Sequence, residues 1–402
     1  MRMRFYGLWL MCSLVCIGVS ARALDYGQVD VRDPDTQIPD SVRPLFDTFI
    51  RDLSITPGPE GWYYMTGTTE RAPGKSAWDY NDGLRVWKSK DLKSWEPLGL
   101  VWSLDKDCKG WQRNYYCFPR DGSPGTIVSP EKFDPSLEKT HRVLRHVWAP
   151  EIDYVPHLDM FVLSASMNHN LRRFAGQERM GHGLRGGCFV LVSTSGKAEG
   201  PYRDIQPEKP LTNNIDASFF VDDDHSMYFL SQDCDIARVK DDLSGLEEKP
   251  WRPAQTRYPN QDPRKGEGEG GYLFKSNGKY HLSITKWSQW EEGRDVGSYL
   301  PFKGINHVQA SYSYDPVTAS SESIRGPYGK RYTPITGGGH GNFFQDHDGG
   351  WWACVFWNPR NKVLGHEKYF CRPAIVAMKW VDGRLKVDKE RTDEFYAAFS
   401  GQ

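Results

Sequence analysis

The sequence predicts an all-β protein that folds as one five-bladed β-propeller over residues 24–402. Composition and an internal repeat lead to this fold class. Aromatic residues form 13% of the chain and occur with 39 Gly and 26 Pro, which is typical of short strands joined by tight turns. Five segments also share one layout: a polar residue, a short apolar run, a turn and an aromatic-rich strand. Four-stranded units that recur in an all-β chain are typical of propeller blades.

The spacing inside the repeated segments is nearly constant. The strand aromatic lies 11, 10, 12, 11 and 11 residues after the leading polar residue. Three of the turns carry Asp or Asn together with Gly or other polar residues, which favours hairpins. A β-sandwich with accidental similarity is the alternative, and the repeated offset favours the propeller. The leading residues of the five predicted blades are Asp52, Glu151, Asp216, Glu269 and His340.

The first blade carries a long insertion, because successive blades start 99, 65, 53 and 71 residues apart. Cys108 and Cys117 lie in this insertion and flank a short polar loop, which makes them the best candidates for a disulfide in an exported chain. The connectivity of the other cysteines stays open. No cysteine or histidine spacing indicates a zinc site.

The first 23 residues have the pattern of an export signal. The basic start MRMR precedes the apolar stretch 5–19, and Ala21-Arg22-Ala23 fits an A-x-A cleavage site. We therefore expect a signal peptide over residues 1–23 and a secreted or periplasmic protein, with an uncleaved anchor as the alternative. No later stretch of about 18 apolar residues predicts a membrane span.

The charges of the chain are balanced, with 51 Lys and Arg against 52 Asp and Glu. Because no basic excess is available to hold a phosphate backbone, we expect no nucleic-acid partner. Aromatic faces stack on sugar rings, so the composition gives a weak indication of a carbohydrate ligand. We expect a monomer or a simple homo-oligomer.

The repeat also predicts a functional site. The leading polar residue starts the innermost strand of each blade, and in a propeller these starts converge around the axis at one face. Four carboxylates and a histidine would therefore meet in one pocket. Charged side chains are rarely buried without a partner or a task, so this convergence indicates function rather than packing.

These residues resemble the family 43 glycoside hydrolases and their five-bladed relatives. The motifs of that family are Arg-Asp-Pro, Trp-Ala-Pro-Asp, Ile-Asp-Pro-Ser, Glu-Gly-Pro and Gly-His-Gly. The matching stretches here are Arg51-Asp52-Leu53, Trp148-Ala149-Pro150-Glu151, Ile215-Asp216-Ala217-Ser218, Glu269-Gly270-Gly271 and Gly339-His340-Gly341. Proline is missing from three of them, which indicates a divergent member.

The resemblance implies inverting hydrolysis, in which two carboxyls about 6.5–9.5 Å apart flank the scissile bond. At the matching positions Asp52 is the general base that activates water and Glu269 is the general acid. Asp216 keeps this acid protonated through its negative charge. Glu267 is a rival for the acid because Gly and Glu alternate around it, and the repeat position favours Glu269. For Asp52 the alternative is a structural ion pair with Arg51.

Further residues are candidates for substrate binding. Trp148 is placed to stack on a terminal sugar, and Glu151 is expected to contact substrate at the axis. Trp287 and Trp290 lie in a polar stretch that we expect to form a loop at the pocket rim. Arg372 offers a fork of donors to a sugar hydroxyl or carboxylate, with a surface ion pair as the alternative.

The resemblance also bears on metal binding. In the relatives the histidine that matches His340 lies near the axis and often contacts a bound ion, commonly calcium, or its waters. We therefore expect no required cofactor and name His340 as the candidate contact of a structural calcium ion. A hydrogen-bonded core histidine is the alternative.

The function expected from these residues is that of an exported, exo-acting glycoside hydrolase. It would remove a terminal sugar of the arabinofuranose, xylose or galactose type from oligosaccharide or polysaccharide fragments. One alternative is a related enzyme that acts on 3,6-anhydro-galactose in agar oligosaccharides. A second alternative is a sugar-binding propeller without turnover.

Overall fold

The computed structural model describes residues 35–70, 80–121, 123, 125–128, 130–167, 187–232, 234–254, 268–291, 294–298, 312–329, 331–357, 369 and 371–399. Five β-sheets surround a common axis in this part of the chain, which confirms the five-bladed propeller. None of the helices in these ranges is long and apolar enough to cross a membrane. The predicted signal peptide lies outside the described residues.

The first two blades are four-stranded antiparallel sheets. Blade one consists of β1 (Ile50–Pro57), β2 (Tyr63–Thr69), β3 (Gly83–Ser89) and β4 (Glu96–Ser103). The insertion that follows forms β5 (Tyr115–Pro119), β6 (Thr126–Val128), the short helix α1 (Leu137–Thr140) and β7 (His141–Leu144). Blade two consists of β8 (Val147–Val155), β9 (Met160–Met167), β10 (Gly187–Ser193) and β11 (Tyr202–Asp204).

The remaining blades follow the same plan with local differences. Blade three has β12 (Ser218–Val221), β13 (Met227–Ser231) and β14 (Asp235–Arg238). Blade four has β15 (Glu269–Ser276), β16 (Lys279–Glu291), β17 (Arg294–Ser298) and β18 (Tyr312–Ser321), and both β17 and β18 pair with β16. Blade five has β19 (Phe343–Gln345), β20 (Trp351–Val355), β21 (Ala374–Val381) and β22 (Arg384–Val387), and helix α2 (Lys389–Ala397) follows it.

Burial differs between inner and outer strands, and this difference explains their composition. The second strand of blade two, β9, is buried along nearly its whole length, because neighbouring blades cover both of its faces. The outer strand β4 is largely exposed at its start. Apolar clusters fill the spaces between adjacent blades, for example between β2, β8 and β9. The core therefore forms a ring around the axis.

The insertion of blade one forms a separate three-stranded sheet with the order β6-β5-β7. Cys117 lies within this sheet, where it packs against Tyr115 and Val143. Cys108 belongs to a different cluster, between blades one and two, and its Sγ lies 3.0 Å from Nη2 of Arg145. Both cysteines are free thiols, so the predicted disulfide between them is wrong. The reason is that each is buried in its own apolar cluster.

The ends of the described chain meet at blade five. The backbone N–H of Leu45 donates to the carbonyl of Pro373 at 2.8 Å, and Val387 N–H donates to the carbonyl of Asp35 at 3.0 Å. A parallel bridge between Leu53 and Gly341 joins blade one to blade five. The segment before β1 thus closes the ring of blades.

Candidate active site

The innermost strands contain an irregularity at their axial ends. The pairing register shifts between Arg51 and Ser54 in β1, between Trp148 and Glu151 in β8, and between Glu269 and Tyr272 in β15. A left-handed backbone conformation occurs within two residues of the leading polar residue in every blade, with φ values of 53°, 43°, 55°, 63° and 88° at Asp52, Ala149, Asp216, Gly270 and Gly339. Such bulges redirect side chains out of the pleat. They bring the leading polar residues toward the axis.

Each axial strand start is also tied to the preceding blade by one backbone N–H. The acceptors are a side-chain hydroxyl in two cases and a backbone carbonyl in three. The pairs are Ala149 to Thr68 Oγ1 (2.7 Å), Asp216 to Ser166 Oγ (3.2 Å), Gly271 to the Gln232 carbonyl (2.8 Å), Gly339 to the Tyr314 carbonyl (2.9 Å) and Ile50 to the Cys371 carbonyl (2.9 Å). This repeated bond fixes the position of the axial residues relative to one another.

Asp52 is buried at the axis among hydrogen-bond donors. Arg51 Nε lies 3.1 Å from both carboxylate oxygens, and the Thr68 hydroxyl donates to Oδ2 at 2.8 Å. His340 Nδ1 lies 3.6 Å from Oδ1. Burial opposes the charge of Arg51, but Asp52, Cys371 and Tyr314 together raise the pKa of the guanidinium. The ion pair with Arg51, stated above as the alternative for Asp52, is present. Asp52 also lies within the axial cluster, beside His340.

Asp216 and Glu269 lie close enough to influence each other. The backbone N–H of Gly270 donates to Asp216 Oδ2 at 3.0 Å, and the Tyr314 hydroxyl donates to Glu269 Oε1. Burial, followed by the charges of Glu269 and Asp52, raises the pKa of Asp216 well above its usual value. Neighbouring carboxyls that cannot ionise together hold a proton between them. Asp216 therefore holds its proton to a higher pH than a free aspartic acid does.

His340 is buried beside this pair. A Cβ atom at Gly270 would lie 2.4 Å from His340 Nε2, so the imidazole packs directly on that glycine. Burial lowers the pKa of His340, which favours the neutral ring. In the described ranges no group of three or more His, Cys, Asp or Glu side chains is placed to hold a metal ion. The described residues therefore form no protein-ligated metal site around His340, and a calcium ion there stays a prediction.

Glu151 lies on β8 and is buried near Asp216. Its Oε2 has no hydrogen-bond partner among the described residues. Burial, followed by the charges of Asp153 and Asp216, raises the pKa of Glu151 well above its usual value. The raised pKa favours the neutral form of Glu151, and its contact with substrate stays a prediction.

Trp148 lies at the start of β8, before the bulge. Its ring stacks on His146, with centroids 4.9 Å apart and planes at 24°. The Ser166 hydroxyl donates to the Trp148 carbonyl at 3.3 Å and accepts from Asp216, which connects the two positions. Trp148 is partly exposed, so one face of the indole is suited to stacking on a sugar.

Arg372 is engaged at the outer surface of the site. Its Nε lies 2.5 Å from Oδ1 of Asp47, whose side chain is 90% exposed. This is the surface ion pair considered as the alternative for Arg372. A contact of Arg372 with sugar stays a prediction.

Two further expectations concern blade four. Trp287 and Trp290 lie on strand β16, so the expected loop is wrong there: the polar stretch pairs with β18, and its end pairs with β17. The side chains of both tryptophans lie outside the description. Glu267 also lies outside the described residues. The choice of Glu269 over Glu267 as the acid therefore stays a prediction.

Sequence reasoning missed the hydroxyl groups that support the cluster. Thr68 and Ser166 both stand five residues after the strand aromatic of their blades, Tyr63 and Phe161. This shared spacing is a signal in the sequence from which both hydroxyls could have been identified. Tyr314 had no such signal, because it lies on β18 and meets Glu269 only through the tertiary fold.

Comparisons with known proteins agree with the propeller fold. The sequence model of the family described as glycosyl hydrolases family 43 matches residues 127–385. The family 43 protein BlXynB from Bacillus licheniformis is 20% identical with a TM-score of 0.51, and the match covers 87% of this chain and 56% of that one. The chain thus spans about half the length of BlXynB.

Two shorter solved structures are also similar. An endo-1,4-beta-xylanase from Bacteroides thetaiotaomicron is 22% identical with a TM-score of 0.50, and the match covers 86% of this chain and 96% of that one. An exo-1,5-alpha-L-arabinanase from a bovine ruminal metagenomic library is 14% identical with a TM-score of 0.52, covering 85% and 99%. At these identities the similarity shows the propeller fold.

Proposed function

We propose that this chain, which belongs to glycosyl hydrolases family 43, hydrolyses O-glycosyl bonds at the axial carboxyl cluster and inverts the anomeric carbon. The observation that carries the proposal is the convergence of Asp52, Asp216 and Glu269 from three blades. Their environments differ in the way that acid–base catalysis requires. Arg51 and Thr68 donate hydrogen bonds to Asp52, whereas burial and the charge of Glu269 raise the pKa of Asp216.

The steps follow from these environments. Asp52, stabilised as a carboxylate, takes a proton from a water molecule, and the oxygen of that water attacks the anomeric carbon. Glu269 gives its proton to the leaving oxygen as the glycosidic bond breaks. Asp216 is a positioning residue beside this acid, and its carboxyl accepts a hydrogen bond from the backbone N–H of Gly270, the residue after Glu269. Attack and departure on opposite faces of the sugar invert the anomer. None of these steps is assigned to a cofactor.

The substrate we propose is an oligosaccharide or polysaccharide fragment from which a terminal arabinofuranose, xylose or galactose is removed. Two of the similar structures are a xylanase and an arabinanase, which supports pentose substrates. Trp148 would stack on the terminal sugar. We further propose that residues 1–23 direct export to the periplasm or the medium.

A product screen tests this proposal. The full chain is incubated with arabino-, xylo- and galacto-oligosaccharides and with agar and carrageenan oligomers, and the products are separated by anion-exchange chromatography. We expect release of single sugar units from one of the first three groups. Release from agar oligomers alone would favour the 3,6-anhydro-galactose alternative, and saturable binding without product would favour the non-catalytic one.

Removing either catalytic carboxyl should abolish most turnover. For Asp52→Asn and Glu269→Gln we expect kcat to fall by roughly 10²–10⁴-fold, the usual contribution of a positioned general acid or base. Circular dichroism and thermal unfolding check that the fold is retained. Asp348→Asn, in an exposed turn of blade five, is the matched control and should keep full activity. Unchanged kcat in both catalytic variants would refute the roles assigned here.

A further inference from the structure

A recess lies between blades two, three and four, and its lining residue Asp153 is close enough to Glu151 of the axial cluster to raise the pKa of Glu151. Its volume is about 440 Å³, within the range typical of ligand sites. Its walls come from β8 and the turn that follows it, from β12 and its hairpin, and from β15. The lining residues stand two to nine positions after the leading axial residues of these blades. Because a strand rises about 3.3 Å per residue, the recess opens at the opposite end of the axis.

We infer that this recess is a second carbohydrate site, which binds a neutral sugar residue without cleaving it. Phe219, Tyr272 and Phe274 contribute aromatic walls. His157 and His225 stack at its mouth, with ring centroids 4.5 Å apart. Phe219 and Phe274 are buried, so the exposed rings of His157 and His225 are the flat surfaces that suit the apolar C–H face of a sugar ring.

The polar groups of the recess favour a neutral, hydroxyl-rich ligand. Asp153 lines the recess, and its buried Oδ2 has no hydrogen-bond partner among the described residues. Burial raises the pKa of Asp153 to about 8, so near pH 7 the group is mostly a carboxylic acid that both donates and accepts hydrogen bonds. A sugar hydroxyl offers the complementary donor and acceptor.

The charged groups at the rim are paired with one another. Lys275 Nζ lies 2.7 Å from Oδ1 of Asp222 and 2.7 Å from Oδ2 of Asp223. Tyr280 also donates to Asp222 through its hydroxyl, at 2.5 Å. The lysine therefore occupies the place that a cationic ligand would take, and the two aspartates disfavour an anion. Neutral ligands are the class that remains.

The inference rests on the proposed function only for the choice of glycan. Binding is measured at pH 7 by calorimetry with the full chain carrying Asp52→Asn and Glu269→Gln, so that the probes are not cleaved. The probes are xylohexaose, arabinohexaose and galactohexaose. We expect two sites for at least one probe, one at the axial cluster and one in the recess.

Variants assign the second site. Adding Asp153→Ala or His157→Ala should weaken that site by about tenfold, as expected for a lost hydrogen bond or ring contact in a binding site. Asp153→Asn preserves a donor and an acceptor and should keep binding. His157 is exposed, so its variant tests the site without disturbing the core. His141→Ala, on the extra sheet of blade one, is the matched control and should change nothing.

The outcomes separate this inference from the proposed function. A single site that is lost in Trp148→Ala and unaffected by Asp153→Ala would overturn the recess site and leave the hydrolase proposal standing. A second site insensitive to both Asp153→Ala and His157→Ala would also overturn it. The product screen uses the chain with Asp52 and Glu269 intact, so its result does not depend on either binding outcome.

Discussion

Asp52 forms the ion pair that the sequence offered as the alternative to its role as general base, and it also lies in the axial cluster. Its ion pair with Arg51 is present, and the same carboxylate accepts from Thr68 and faces His340. A buried carboxylate needs such donors to remain charged. The repeat offset predicted that Asp52 and His340 meet at the axis, because leading residues of propeller strands converge. It did not reveal the donors, since a hydrogen bond between strands depends on three-dimensional register.

The contact between Gly270 and His340 gives a prediction at the residue scale. Gly278 has a similar φ of 71° with nothing within 4 Å of a built Cβ, whereas at Gly270 a Cβ would collide with the imidazole. We expect Gly278→Ala to cost about 1–2 kcal/mol, the usual cost of a left-handed residue. Gly270→Ala should cost more and should also lower kcat, because His340 must move away from Asp52.

Chemical denaturation and steady-state kinetics measure this pair of variants. Gly278→Ala serves as the matched control for backbone strain. Equal losses of stability in the two variants, with unchanged kcat in both, would contradict the packing of His340 on Gly270.

At the scale of elements, the innermost strands were predictable but their irregularities were not. Alternation and turn chemistry identify β1, β8 and β15 from local sequence. The bulges in them arise from pairing with β2, β9 and β16, which local sequence does not encode. The same limit explains the error at Trp287 and Trp290. A polar stretch indicates a loop when read alone, yet two partner strands extend β16 through it.

The buried acids of β8 give a prediction for pH dependence. Burial raises the pKa of Asp153 from 3.8 to about 8, so between these values the folded protein holds a proton that the unfolded chain has released. The stability associated with this proton is fully present below pH 3.8 and is lost as the pH rises through about 8. Because Asn does not titrate, the Asp153→Asn variant does not lose this stability as the pH rises.

Near pH 4 we therefore expect Asp153→Asn and the original chain to have nearly the same unfolding temperature. As the pH rises toward 8, the unfolding temperature of Asp153→Asn should increasingly exceed that of the original chain. Differential scanning calorimetry across this range measures the difference. A constant difference, or one that shrinks as the pH rises, would show that Asp153 is ionised in the folded protein.

At the scale of the whole molecule, the ring of blades is closed by contacts that the repeat did not predict. The repeat identified the blades, their order and the long insertion after blade one. The segment before β1 has no repeat character, yet it packs on blade five and α2. The predicted disulfide failed for a related reason. Proximity in sequence placed Cys108 and Cys117 together, whereas the fold buries them in separate clusters.

This closure predicts a contrast between two leucines. Leu45 is 7% exposed and packs in the cluster between blades one and five, whereas Leu100 on β4 is 37% exposed. We expect Leu45→Ala to destabilise the protein by about 2–5 kcal/mol. Leu100→Ala should change the stability by less than about 0.5 kcal/mol. Urea denaturation measures both, and equal small effects would contradict a structural role for the segment before β1.

The central claim is that opposed carboxyls of a closed propeller perform inverting hydrolysis. Proton NMR of the first minutes of hydrolysis, before mutarotation, tests this most directly on the best substrate of the screen. The account predicts that the newly released sugar carries the anomeric configuration opposite to that of the substrate, and that Asp52→Asn releases almost none. A released sugar with the substrate's own configuration would contradict the water-activating role of Asp52.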